Sequence, residues 1–178
     1  MGVGISTPFL ANVISRNGGL GTVSGVASEI IMARILQNGD PGGHFRRALG
    51  HFPFQEIAQQ VIEMYFVKDG IPKQDCYRSV PMFTVCPGRA LIALTVCASF
   101  AFVYLAKEGH SEPVSINYLE KVQMSLIFHF VGAMLAGVDF ITMGAGIPIQ
   151  VPGVLDTIAS GGSPSYRVQG LCCMRNIQ

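Results

Sequence analysis

Residues 114–148 constrain the fold more than any other part of this chain. They open with VSINYLEK and close with GAMLAGVDFITMGAGIP. Two short runs, 114–119 and 140–143, have the β-branched, apolar character of buried strands, and an apolar stretch at about 124–135 between them is long enough for a helix. Each strand ends in residue types that line sites: Asn117, Glu120 and Lys121 after the first, Gly144, Ala145 and Gly146 after the second. Strand, helix, strand is the pattern of a parallel α/β fold, in which ligands bind at the carboxyl ends of the strands.

Length and composition bound what surrounds this unit. A chain of 178 residues is one domain by size. Lys and Arg number 12 against 11 Asp and Glu, so there is no electrostatic case for nucleic acid. Charged residues are only 13% and hydrophobic ones 49%, lean for a small soluble surface. Either a segment crosses a membrane or apolar faces are meant to be covered by protein. The membrane reading rests on residues 90–106, ALIALTVCASFAFVYLA, a run without charge but shorter than the roughly 20 residues of a typical span. Thr95, Cys97 and Ser99 interrupt it, and it leads at once into Gly109 and a strand. The expectation is a helix packed on protein, in a cytoplasmic chain without a signal peptide.

The cysteines, Cys76, Cys86, Cys97, Cys172 and Cys173, are odd in number and show no CxxC spacing, so they read as reduced thiols and not as a disulfide framework or zinc site. His44 and His51 would share one helical face, but Arg46 and Arg47 between them disfavour a metal. His110 reads as a loop residue and His129 as a histidine on an apolar helix face. No metal site is expected.

Before the central unit, Ser6 or Thr7 caps a helix with Pro8 at its first position, and Gly18–Gly19 ends it. Residues 20–24 form a short strand. The run GLGTVSG around it is no dinucleotide fingerprint, because its glycines follow a helix and precede a strand. Residues 26–112 make a long helical excursion, with helices at about 28–37, 56–66 and 90–106 and a polar loop at 68–81. Beyond Pro148, residues 154–159 read as a weak helix and 159–178 as an irregular tail.

The segments MGVGIS, NGGLGTVSG, LQNGDPGGHFRRALGHFPF, YLAKEGH, INYLEK and GAMLAGVDFITMGAGIP resemble, in order across residues 1–158, the nitronate monooxygenase (2-nitropropane dioxygenase) family. The resemblance implies an amino-terminal portion of a TIM barrel that binds FMN and oxidises alkyl nitronates with oxygen. It implies cofactor contacts from Met1 and Gly2, in the turn after the first strand, from Asn117 at a strand end, and from Gly144 and Gly146 in the next strand-end loop. The related trans-acting enoyl reductases are the alternative chemistry, and a non-catalytic fragment pairing through an exposed sheet edge is the alternative without chemistry. The Glu-Ala-Gly-Gly-His motif that carries the family's catalytic base does not occur in this sequence, and SLIFHF stands where a Pro-containing segment is expected. No catalytic residue is therefore assigned. The fold expectation is α/β: part of a TIM barrel, with parallel strands and a long helical insertion.

Overall fold

The computed structural model describes residues 2–72, 74–168 and 175–177. Chain order begins with helix α1 (Pro8–Arg16) and strand β1 (Gly21–Ser24), then helices α2 (Ser28–Gln37), α3 (His44–Gly50), α4 (Gln55–Tyr65) and α5 (Arg89–Lys107). Strand β2 (Val114–Leu119), helix α6 (Leu126–Leu135), strand β3 (Phe140–Gly144) and helix α7 (Val151–Ala159) follow, with two short strands β4 (Tyr166–Val168) and β5 (Arg175–Ile177) at the end.

β1, β2 and β3 form a parallel sheet in that order, as expected from the strand–helix–strand pattern. In register, Gly21 stands opposite Val114, Ser24 opposite Asn117, and Asn117 opposite Thr142. Because successive side chains alternate in direction, Val114, Ile116 and Tyr118 share one face with Val23, Ile141 and Met143. That face is the core: Val114, Ile116 and Tyr118 are buried beneath α5 and α6. The other face carries Thr22, Ser24, Ser115, Asn117, Phe140 and Thr142, of which Ser24 and Ser115 are buried, Thr22, Asn117 and Thr142 half-buried, and Phe140 53% exposed. A parallel sheet ordinarily has both faces covered. Three strands make an open sheet, whereas a TIM barrel needs eight to close.

Local chemistry explains the junctions. Thr7 Oγ1 accepts the Leu10 N–H at 3.2 Å, capping α1 behind Pro8. A side chain at Gly21 would meet Ala11 O at 2.0 Å, so glycine there lets α1 lie directly on β1. Ser15 Oγ accepts the Gly21 N–H and donates to Pro113 O, joining α1 to the starts of β1 and β2. At the end of α5, where helix carbonyls lack intrahelical donors, Asn12 Nδ2 donates to Ala106 O and Glu108 O, and His110 Nε2 donates to Ala106 O.

α5 is the hub, touching α1, α2, α3, α4 and α6 as well as the sheet. By length and composition it could cross a membrane; here 67% of its apolar window is buried by the rest of the chain. Phe100 and Phe102 meet Phe52 and Phe45 at ring separations of 5.1 and 5.6 Å, which locks α3 and its following turn onto it. His44 and His51 go to separate partners, His44 edge-on to Phe9 and His51 stacked on Tyr104.

Three elements differ from the sequence expectation. A one-turn 3-10 segment (Pro41–Gly43) and α3 fall between the helices expected at 28–37 and 56–66, and α7 starts at Val151 and not at 154, because Pro152 fits the first turn. The tail, expected to be irregular, holds an antiparallel ladder between β4 and β5. Cys172 and Cys173 lie outside the described residues; Cys76 and Cys86 are exposed thiols, and Cys97 is buried, which pushes its thiol up to about 12.

Asp40 carries the start of α3. It is 1% exposed, has φ 46°, and its carboxylate accepts the N–H groups of Phe45 and Arg46 at 3.1 and 2.9 Å. Asp40→Ala removes both acceptors and the residue type that tolerates left-handed backbone, for an expected loss of about 2 kcal/mol. Asp40→Asn keeps one acceptor and the backbone preference, so it should cost less than half as much. Urea unfolding of both variants checks this; equal losses would remove the capping role.

Candidate functional site

The carboxyl ends of the three parallel strands meet at one end of the sheet. Gly25 N–H, just after β1, donates to Asn117 O, and Glu120 N–H, just after β2, donates to Gly144 O. The turn of residues 2–6 joins them, because Ser24 N–H donates to Ser6 O while Gly2 O accepts from Ile5 and Ser6. Four expected cofactor residues therefore sit in segments tied to this sheet end: Gly2, Asn117, Gly144 and Gly146. Met1 lies outside the described residues.

Asn117 is half-buried on the face opposite the core. Its Nδ2 donates to Thr142 Oγ1 at 3.1 Å, and Thr142 Oγ1 donates in turn to Ile116 O at 3.3 Å. The carboxamide is thus oriented, and its oxygen meets no protein donor among the described residues. The glycines have nearer explanations. A Cβ at Gly146 would fall 2.5 Å from Glu120 Oε2, at Gly144 3.2 Å from Leu119 Cδ2, and at Gly2 3.1 Å from Ile5 Cβ. Each absent side chain thus makes room first for its own neighbour. Between Gly144 and Gly146, Ala145 holds φ 56°, a conformation that costs a non-glycine residue about a kcal/mol or more and clusters at functional loops. Glu120 accepts from Gln123 Nε2 at 2.9 Å and from Tyr166 OH at 3.2 Å, so β4 contacts the same end. Lys121 is exposed.

On the covered face of the sheet lies a group that sequence reasoning did not assemble. A cavity of about 220 Å³ opens between the β1–α2 turn and the start of α6, with Gly25, Ile30, Tyr118, Val122 and Leu126 among its walls. Glycine at 25 is required, since a Cβ there would lie 2.2 Å from the Tyr118 ring. Glu29 and His129 also line it, with Glu29 Oε2 3.6 Å from His129 Nε2. On the far side of the imidazole, Nδ1 is 3.5 Å from Ser28 Oγ. Behind them Ser99 Oγ donates to His129 O at 2.7 Å and shares a 2.6 Å hydrogen bond with Tyr118 OH.

Burial decides the charge state of this pair. It raises the Glu29 carboxyl above its ordinary value, an effect that the carboxylate's own backbone N–H only partly offsets. It pushes the His129 imidazole down to about 3, and it also raises the Tyr118 phenol. An ion pair at 3.6 Å would pull Glu29 and His129 the opposite way, towards charge. Desolvation is the larger effect on both, so the pair rests neutral. Glu29 Oε2 is left buried with no hydrogen-bond partner among the described residues. The only hint in the sequence was a single acid and a single histidine on otherwise apolar helix faces, each bland alone. No family model matches the chain, and neither a curated protein nor a solved structure does.

Proposed function

We propose that this chain is part of an FMN-dependent oxidoreductase of the nitronate monooxygenase type, acting on alkyl nitronates with oxygen in the cytoplasm, and that its parallel sheet belongs to a TIM barrel. The observation that carries the reading is the meeting of the INYLEK and GAGIP strand ends, side by side and in parallel, with a fixed, half-buried Asn117 on a face of mostly small and polar residues. In a barrel that face is the interior end where cofactors sit. The residues present fit the ring of a flavin better than its phosphate. The Asn117 oxygen would accept from a ring N–H, and the backbone of residues 144–146 would border the ring. Bound FMN would supply the redox chemistry; the chain's part is to hold and orient it. Barrel phosphate sites usually come from the loops after the seventh and eighth strands, and the described parallel sheet has three. The free edges of β1 and β3 also fit pairing with a further segment or chain.

The 178-residue chain is therefore expected to bind FMN and riboflavin weakly and within about twofold of each other. Asn117→Ala should weaken both about fivefold, the loss of one hydrogen bond of about 1 kcal/mol. Quenching of flavin fluorescence measures both. Oxygen uptake with propyl nitronate is not expected from this chain alone, because the histidine motif of the resemblance is not in its sequence. A flavin that is not bound at millimolar protein, or bound equally by the Asn117→Ala variant, would overturn the assignment.

A further inference from the structure

We infer that the cavity between the β1–α2 turn and α6 is a binding site for a small primary amine with an apolar body, its ammonium held between Glu29 Oε2 and His129 Nε2. This site lies on the core face of the sheet and is independent of the flavin reading, which concerns the opposite face.

The geometry calls for a donor. The two atoms are 3.6 Å apart, too far to bond each other well, yet a nitrogen about 2.8 Å from both can stand between them. If His129 Nδ1–H donates to Ser28 Oγ, its Nε2 is an acceptor, and it faces a carboxyl oxygen that is also an acceptor once Glu29 has given up its proton. A group with two or more N–H bonds satisfies both at once. Protein cations do not serve here: among the described residues the Lys and Arg ion pairs are with Asp40, Glu108 and Asp139, none with Glu29. Glu29 is 8% exposed and its Oε2 has no partner among the described residues, which for a buried carboxyl oxygen is costly.

The rest of the cavity sets the body of the ligand. Its walls are largely aliphatic, with the Tyr118 ring as one side, and an aromatic face beside a carboxylate favours an organic cation. A dry apolar cavity of about 150 Å³ holds benzene, so about 220 Å³ accommodates one ring and an aminomethyl group. On binding, the carboxyl proton of Glu29 passes to solvent, and the ammonium takes its place as the positive partner. An anionic ligand of the same size would meet a carboxyl with no compensating cation.

Isothermal titration of the full chain with benzylamine, benzyl alcohol and benzoate tests this. Benzylamine is expected to saturate one site and to bind at least about tenfold tighter than benzyl alcohol, and benzoate to show no saturable binding. Glu29→Gln keeps the volume and resembles the neutral carboxyl, so it should bring benzylamine down to the level of benzyl alcohol without changing the latter more than about twofold. Benzylamine that binds no tighter than benzyl alcohol to the unaltered chain would overturn the proposal, and would mean that solvent bridges the pair. So would an unchanged benzylamine affinity in a folded Glu29→Gln variant.

Discussion

Gly132→Ala is expected to destabilise the fold by about 3 kcal/mol, although it adds one methyl group to a helix. Alanine favours an isolated helix over glycine by about 1 kcal/mol, so intrinsic propensity alone would make the change stabilising. Packing reverses the sign. Gly132 lies in α6 where it crosses α5, and a Cβ there would fall 2.2 Å from Val96 O and 2.9 Å from Ser99 Cβ. The first of these is helix backbone and cannot rotate away, so the two helices must move apart. That separation also lengthens the Ser99 hydroxyl's bond to His129 O, at present 2.7 Å, which ties the helices together beneath Tyr118. Overpacking of this kind costs about 1–3 kcal/mol, and the disturbed buried hydrogen bond adds to it. Gly153→Ala is the control: it lies in α7 with nothing near the position of its Cβ, so it should be neutral or gain up to about 1 kcal/mol. Chemical unfolding of the two variants decides the point. A Gly132→Ala midpoint equal to that of the unaltered chain would mean that the helix crossing is looser than these distances.

What could be read from the sequence follows from how locally each element is specified. β2 is legible to the residue, because Val114, Ile116 and Tyr118 alternate as the apolar, core-facing positions of VSINYL and the run ends in Glu120 and Lys121. β1 and β3 are each within one residue of their expected bounds for the same reason. α5 is legible as a helix, and its covering by five other helices answers why so apolar a run carries Thr95 and Ser99: both hydroxyls are satisfied by helix carbonyls, Leu91 O and His129 O. α3 was hidden because its start depends on a tertiary-like cap, the side chain of Asp40 reaching past Gly42 and Gly43. At the strand ends, Asn117 was visible, but its orienting partner Thr142 comes from strand pairing, which no local pattern states. The Glu29–His129 pair was the least legible feature. Glu29 in a first helical turn is explained by the helix dipole, and a histidine on an apolar face by the core; only folding shows that each is the other's neighbour.

That pair makes the stability of this chain depend on acid in a way two substitutions can separate. His129 is ordinarily half-protonated at 6.5, but burial holds it neutral down to about 3. Between those values the unfolded chain binds one proton more than the folded one, so stability is present above 6.5 and falls as pH falls, by about 1.4 kcal/mol per pH unit. Glu29 acts in the opposite direction. Its folded value lies above the ordinary 4.5, so its contribution is fully present below 4.5 and is lost as pH rises through the folded value. Above 4.5 the two therefore offset each other. Glu29→Gln removes the part that favours acid and leaves the histidine penalty alone, so stability should fall more steeply from pH 6.5 to 4.5 than in the unaltered chain, with a total loss of about 2–3 kcal/mol from the histidine. His129→Gln removes the penalty and leaves the carboxyl, so stability should hold or rise over the same range. Urea unfolding at several pH values, taken as variant minus unaltered chain, cancels the exposed carboxylates that both share. If the folded state instead held an ionised pair, the histidine value would be raised above 6.5, its contribution would be fully present below 6.5, and the His129→Gln variant would lose ground to the unaltered chain as pH falls through the raised value towards 6.5, with no relative gain from 6.5 to 4.5.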